Sequence, residues 1–196
     1  MKKTLVLIAS AIVCMSASAQ VQFGAKVGFD MTNFWGKDIP HGMQPNYQAG
    51  LMMEYQFSPR FAIAPEVVFA SQGGKFDAAD YFKKLDVKSG VDATSHTNYI
   101  NVPVMMKFYA APAFSIDFGP QVGFNVYSKY SIEGLPTVDL KDGTNTVDFG
   151  LGLGGTYNLT EKAFVQARYT MGLTNVFDND ADCKNGNIQV AFGMKF

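Results

Sequence analysis

The 196-residue chain carries 16 basic and 17 acidic side chains, a formal net charge of −1. That balance offers no basic surface and sets nucleic-acid binding aside. No run of 18 or more apolar residues occurs, so no helix of this chain is expected to span a membrane.

Residues 1–19 read as a cleavable secretory signal peptide. Lys2 and Lys3 form a basic start, 5–13 an apolar stretch, and Ala17-Ser18-Ala19 a small-residue cleavage site. Cys14 follows the bulky Val13, which does not fit a lipid-modified cysteine, and leaves with the leader. The domain is then 20–196, with 14 basic against 17 acidic groups and a net charge of −3. Cys183 is its single thiol, so no intramolecular disulfide framework exists. With no base near it in sequence, Cys183 reads as an incidental loop thiol.

From there the chain alternates apolar and polar residues with period two, the mark of strands wetted on one side. Eight strands are predicted, at 20–34, 47–57, 61–71, 99–109, 114–127, 146–157, 164–175 and 185–196. In each, one face is bulky and apolar: Val27, Phe29 and Met31 in the first, Leu51 and Met53 in the second. The other face holds Gly, Ala, amides and charges. Short turns at Pro59, Pro112 and Thr160 alternate with longer polar loops at 35–45, 72–98, 128–145 and 176–184. A mean hydropathy near zero is no obstacle, because period-two alternation hides a span from averaging. Pro65, Pro103 and Pro120 fall inside strands, so bulges or inward polar groups are expected beside them.

A soluble sandwich has no reason to alternate loop lengths in this way. An all-β, eight-stranded antiparallel up-and-down transmembrane barrel does, with apolar residues facing lipid and polar ones filling the interior. Its short turns would lie on the periplasmic rim and its long loops on the extracellular one. The last strand, NGNIQVAFGMKF, ends on Phe196. With Phe192, this resembles the C-terminal aromatic signature by which bacterial outer-membrane barrels are read by the barrel-assembly machinery.

The chain also resembles the small porin-like outer-membrane barrels of the PorT type, over essentially all of 20–196. The resemblance is carried by Gln48-Ala49-Gly50-Leu51, by 61–66 ending in Pro65-Glu66, and by Asn101-Val102-Pro103-Val104. It continues in Phe118-Gly119-Pro120-Gln121-Val122-Gly123 and in 167–175, ARYTMGLTN. It implies an eight-stranded barrel in the outer membrane of a Gram-negative envelope. It does not imply an activity, since barrels that share a scaffold differ in their loops.

Inward faces are expected to carry Lys26, Asp30, Glu54, Glu66, Lys107, Asp117, Asp148, Arg168 and Lys195. An eight-stranded barrel is just wide enough for side chains to fill it. Balanced charges there read as a salt-bridged core, against the alternative of a narrow ion path. Counted from their turns, Glu54, Glu66, Lys107 and Arg168 lie at similar heights. Two close carboxylates need a cation between them. The four are therefore predicted to form one interior ion cluster that blocks conduction.

Other motifs dissolve on inspection. Gly150-Leu151-Gly152-Leu153-Gly154-Gly155 fits a dinucleotide fingerprint in letters, but that fingerprint needs a following helix, and here a turn and another strand follow. Asp178, Asn179, Asp180 and Asp182 start like a calcium loop, yet Cys183 and Gln189 stand where its glycine and glutamate belong. His41 and His96 are solitary. No catalytic, cofactor or metal residue is assigned, and no cofactor is expected. The expected role is non-enzymatic, structural or loop-mediated, with Phe76, Tyr81, Phe82 and Leu85 of the second loop as the contact set for an extracellular or envelope partner. A small channel and a membrane-embedded hydrolase are the rival readings. Outer-membrane lipid and the assembly machinery complete the expected partners.

Overall fold

Among the described residues, period-two alternation produces strands joined by turns and no helix. The computed structural model describes residues 20–36, 43–72, 75–77, 92–132, 138–139, 145–175 and 183–196. Those residues contain β1 (Val21–Gly36), β2 (Gln44–Ser58), β3 (Phe61–Gln72), β4 (Lys75–Asp77), β5 (Asp92–Ala111), β6 (Phe114–Ile132), β7 (Val138–Asp139), β8 (Val147–Asn158), β9 (Ala163–Asn175) and β10 (Cys183–Lys195). Eight of them form a closed antiparallel ring in the order β1-β2-β3-β5-β6-β8-β9-β10. β10 returns to β1 in unbroken register, from Gly24 opposite Lys195 to Gly36 opposite Cys183. Closure leaves the ring no unpaired edge, which the hydrocarbon of a bilayer requires of any sheet that crosses it.

The tight turns are held by their own hydroxyls, as Ser and Thr in turns do. Ser58 Oγ accepts from the backbone N–H of Arg60 at 3.3 Å and of Phe61 at 3.0 Å. Thr160 Oγ1 accepts from those of Lys162 at 3.2 Å and Ala163 at 2.9 Å.

On the opposite rim the strands outrun their sequence-based limits. β5 has 20 residues and β6 has 19, where about 9–11 suffice to cross a bilayer. The loop expected at 72–98 therefore contains seven residues of β5 and all of β4, and Ser128 to Ile132 continues β6. β4 pairs with β5 through Lys75 and Thr94, and β7 pairs with β6 through Asp139 and Lys129, so both short strands widen this raised wall. His96 belongs to β5 and Cys183 opens β10, rather than lying in loops. The leader expected at 1–19, His41 and the acidic stretch 178–182 lie outside the described residues.

Burial follows the alternation, inverted relative to a protein built for water. Phe29 is 79% exposed and Leu51 64%, whereas Lys26 is 2% exposed and Asp30 is fully buried. Leaving side chains the size of Leu or Phe in water forgoes about 1.5–3 kcal/mol each. An outer wall of this composition is stable only against lipid. The strand prolines are absorbed without bulges. Register is the same on both sides of Pro65 in the β3–β5 ladder and of Pro120 in the β5–β6 ladder. The irregularities fall elsewhere, at 56/58, 98/99, 109/111 and 184/186.

Candidate functional site

A charge can stay inside a filled barrel only with partners, and the partners here sort the interior by height. Midway up, Glu66 on β3 accepts from Lys26 Nζ on β1 at 2.7 Å and from Arg168 on β9 through Nη2 at 2.7 Å and Nη1 at 3.0 Å. β3 and β9 face each other in the ring, with three strands between them on either side. This pair therefore spans the lumen. Lys26 also donates to Gln166 Oε1 at 2.8 Å, which ties the knot to the same wall as Arg168.

Nearer the turns, Glu54 on β2 gathers Lys107 of β5 at 3.0 Å and Lys195 of β10 at 3.3 Å, and accepts the Tyr109 hydroxyl. Lys107 Nζ also stands 5.9 Å from the centre of the Tyr109 ring. Beside this knot Asp117 is held by hydroxyls and an amide: Ser115 Oγ at 2.6 Å, Thr156 Oγ1 at 2.5 Å and Gln166 Nε2 at 3.4 Å.

Toward the raised rim, the inward carboxylates are held by amides and hydroxyls in place of cations. Asp30 accepts from Gln48 Nε2 at 2.7 Å and Asn187 Nδ2 at 3.5 Å. Asn46 donates to Thr32 Oγ1 at 2.6 Å and accepts from Ser71 Oγ at 3.2 Å. Asp148 accepts from Thr174 and from Asn185 Nδ2 at 2.9 Å. The barrel thus carries ion pairs in its turn-side half and an amide and hydroxyl lattice above.

The four residues expected as one cluster, Glu54, Glu66, Lys107 and Arg168, are all inward and buried, but they divide between two knots. Glu66 meets Arg168, and Glu54 meets Lys107. No ion pair among the described residues joins Lys107 to Glu66. Lys107 pairs with Ala62 on β3, four residues nearer the turn than Glu66 and about 13 Å away along the strand. The cations that complete the knots, Lys26 and Lys195, were legible as inward residues. Their partners were not: Lys26 reaches Glu66 across the intervening β2, and Lys195 reaches Glu54 only through closure of β10 on β1.

Close packing fills the remaining interior. A Cβ on Gly152 would come within 3.2 Å of Met105 Cε and 3.4 Å of Arg168 Cδ, so this glycine makes room for both. Phe164 is buried inside the barrel against Gly193, where a Cβ would overlap its ring. Gly150, Gly152 and Gly154 belong to the uninterrupted strand β8, which turns into β9 without a helix. Among the described residues no group of three His, Cys, Asp or Glu could hold a metal ion.

Phe192 lies on the outer face of β10, and Phe196 follows that strand, its backbone N–H donating to Phe23 O at 2.9 Å. Phe76 belongs to β4, while Tyr81, Phe82 and Leu85 lie outside the described residues.

Residues 16–178 match the family described as outer membrane protein beta-barrel domain. No match is found among curated protein sequences. Among solved structures, the chain is similar to Neisserial surface protein A, with a TM-score of 0.58, 11% identity, and coverage of 89% of this chain and 97% of that one. It is also similar to Ail, the attachment invasion locus protein of Yersinia pestis, with a TM-score of 0.54, 16% identity, and coverage of 90% and 99%. At such identities the likeness is one of fold.

Proposed function

Because the chain belongs to the outer membrane protein β-barrel domain family, we propose that it is a non-enzymatic outer-membrane barrel, closed along its lumen, that works through its exposed rim. One observation carries this reading. Apolar residues face outward, while the inward charges are engaged in ion pairs and hydrogen bonds inside the barrel. A conducting path needs a continuous wet lumen, and the strut of Arg168 to Glu66 crosses it.

In this reading residues 1–19 are removed as the chain leaves the inner membrane, and Phe192 and Phe196 present the last strand to the barrel-assembly machinery. The narrower likeness to PorT-type barrels rests on the sequence motifs at 48–51, 61–66, 101–104, 118–123 and 167–175. Contact with an extracellular or envelope partner falls to the raised rim and its loops, with Phe76, Tyr81, Phe82 and Leu85 as the first set to replace. The raised wall of β4 to β7 supports this, since strands that outrun the bilayer serve no purpose in crossing it.

Cell fractionation joined to planar-bilayer recording tests the proposal. The mature chain should pellet with the outer membrane, migrate differently on gels before and after boiling, and give no steady conductance. Recovery from the periplasm would overturn the location. Stable unitary currents from the unaltered chain would replace the closed barrel with the small-channel reading.

A further inference from the structure

On the raised-rim side of the Arg168 strut, three buried polar atoms converge that the protein itself does not satisfy. Arg168 Nε, Thr170 Oγ1 and Asn187 Oδ1 have no hydrogen-bond partner among the described residues, and the three residues are 3%, 5% and 3% exposed. Ladder register brings them together. Thr170 on β9 stands opposite Asn187 on β10 and opposite Gly152 on β8, and Arg168 lies two residues along β9 on the same inward face. Side chains directly opposite one another have Cβ atoms about 4.5–5.5 Å apart. The Arg168 stem leans into this row, since its Cδ, the atom bonded to Nε, would lie 3.4 Å from a Cβ on Gly152.

We infer that these three atoms are the binding site of one buried water molecule. The mixed chemistry of the set selects it. A guanidinium N–H only donates, an amide carbonyl oxygen only accepts, and a hydroxyl does either. A sodium ion would suit the two oxygens but would be set against the guanidinium. A chloride would suit the Nε–H and the hydroxyl but would be set against Asn187 Oδ1. Turning the Asn187 amide over does not rescue the chloride. Nδ2 would then leave Asp30 Oδ2, to which it donates at 3.5 Å, and Oδ1 would meet that carboxylate instead. Water accepts from the Nε–H and donates to both oxygens, about the three hydrogen bonds usual for a buried water.

The neighbouring row supplies the room. Gly150 and Gly172 face each other there, one step nearer the raised rim, and bring no side chains to the space beside Thr170. A water at this point also joins the two halves of the interior. On one side Arg168 is fixed to Glu66. On the other, Asn187 donates to Asp30, which accepts from Gln48 Nε2 at 2.7 Å. The strut is thereby held at its stem as well as at its head, and the ion-paired half becomes continuous with the amide and hydroxyl lattice.

The test uses the full mature chain, labelled with nitrogen-15 and refolded in detergent micelles. Its arginines are Arg60, in an exposed turn, and the buried Arg168, so their Nε–H signals separate by exchange with solvent. The Arg168 Nε–H should show an NOE to the water line and an ROE of opposite sign, the mark of a held water rather than of proton exchange. Its shift should be the same in sodium chloride and in sodium sulfate at equal ionic strength. Thr170→Val removes the hydroxyl and nearly keeps the shape. In a dry interior that change deletes an unsatisfied group and raises the urea midpoint, whereas a bridging water loses a partner and the midpoint falls. A fall is expected. Asn187→Leu should abolish most of the cross-peak between Arg168 and water. Should Asn187→Leu fail to fold, the unaltered chain and Thr170→Val decide the matter. No cross-peak in the unaltered chain, NOE and ROE of the same sign, or a Thr170→Val midpoint at or above that of the unaltered chain would overturn the site. A full-strength cross-peak in Asn187→Leu would do the same, and a saturable shift with chloride would give the site to an anion instead.

Discussion

Arg168 on β9 holds both carboxylate oxygens of Glu66 on β3, at 2.7 and 3.0 Å, across the full width of the barrel. Sequence neighbours could not make this contact. It joins strands on opposite sides of the ring and acts as a strut between walls whose own hydrogen bonds run only around the circumference.

Losing one end of that strut leaves a buried charge without its main partner, a loss of about 3–5 kcal/mol. Arg168→Gln should therefore unfold at much lower urea in lipid vesicles than the unaltered chain. Glu66→Gln combined with Arg168→Gln should cost less than the two single changes summed. Glu66→Gln combined with Lys107→Met should be close to additive, because those two side chains belong to different knots. Equal coupling in both pairs would contradict the two-knot arrangement.

Glu54 is held by more donors than it needs, which makes its own removal the worse injury. Lys195→Gln leaves Lys107 and the Tyr109 hydroxyl in place and should be mild, about 1–2 kcal/mol in the same unfolding assay. Glu54→Gln leaves two buried ammonium groups facing each other and should cost about 3–5 kcal/mol. The reverse ranking would mean that Lys195, not Glu54, organises the lower knot.

On the outer wall, Leu151→Arg should cost about 2–4 kcal/mol and reduce insertion, since it sets a charge against hydrocarbon near mid-bilayer. Glu161→Arg, in the exposed turn between β8 and β9, should insert normally. Folding yields measured by the gel shift of unboiled samples compare the two. Equal yields would remove Leu151 from the lipid face.

Gly193→Ala should destabilise by overpacking, about 1–3 kcal/mol, because the new Cβ overlaps the Phe164 ring. Adding Phe164→Leu should recover part of that loss. Urea midpoints of the single and double variants check this, and a double variant no better than Gly193→Ala would show that the ring is not the obstacle.

The sequence made the ring readable because a lipid-facing wall must be apolar at every second residue, and that constraint is local. Val27, Phe29 and Met31 announce β1, and Leu151 and Leu153 announce β8. Where strands rise past the membrane the constraint lapses. Asp92 to His96 carries no apolar face, so β5 was expected to start seven residues later than it does. Which residues point inward was equally legible, but who meets whom was not. Heights counted from separate turns ignore the offset between β3 and β5, which are joined across the far rim, and this brought Lys107 level with Glu66 when it pairs opposite Ala62. Lys26 meets Glu66 across β2, and Lys195 meets Glu54 only through the closure of β10 on β1; no local pattern encodes either contact.

The pairing of β10 with β1 also dictates an order of events during biogenesis. Every other neighbour in the ring is joined by a single hairpin connection, but β1 finds its second partner only when the last strand arrives. Until then the nascent sheet offers two unsatisfied edges and an oily exterior together, a combination that invites self-association in water. A non-local contact of this kind also comes late, since the intervening chain must be gathered first. The polypeptide is therefore best kept unstructured during its aqueous transit. Curling of the sheet, closure and entry into lipid would then form one concerted step.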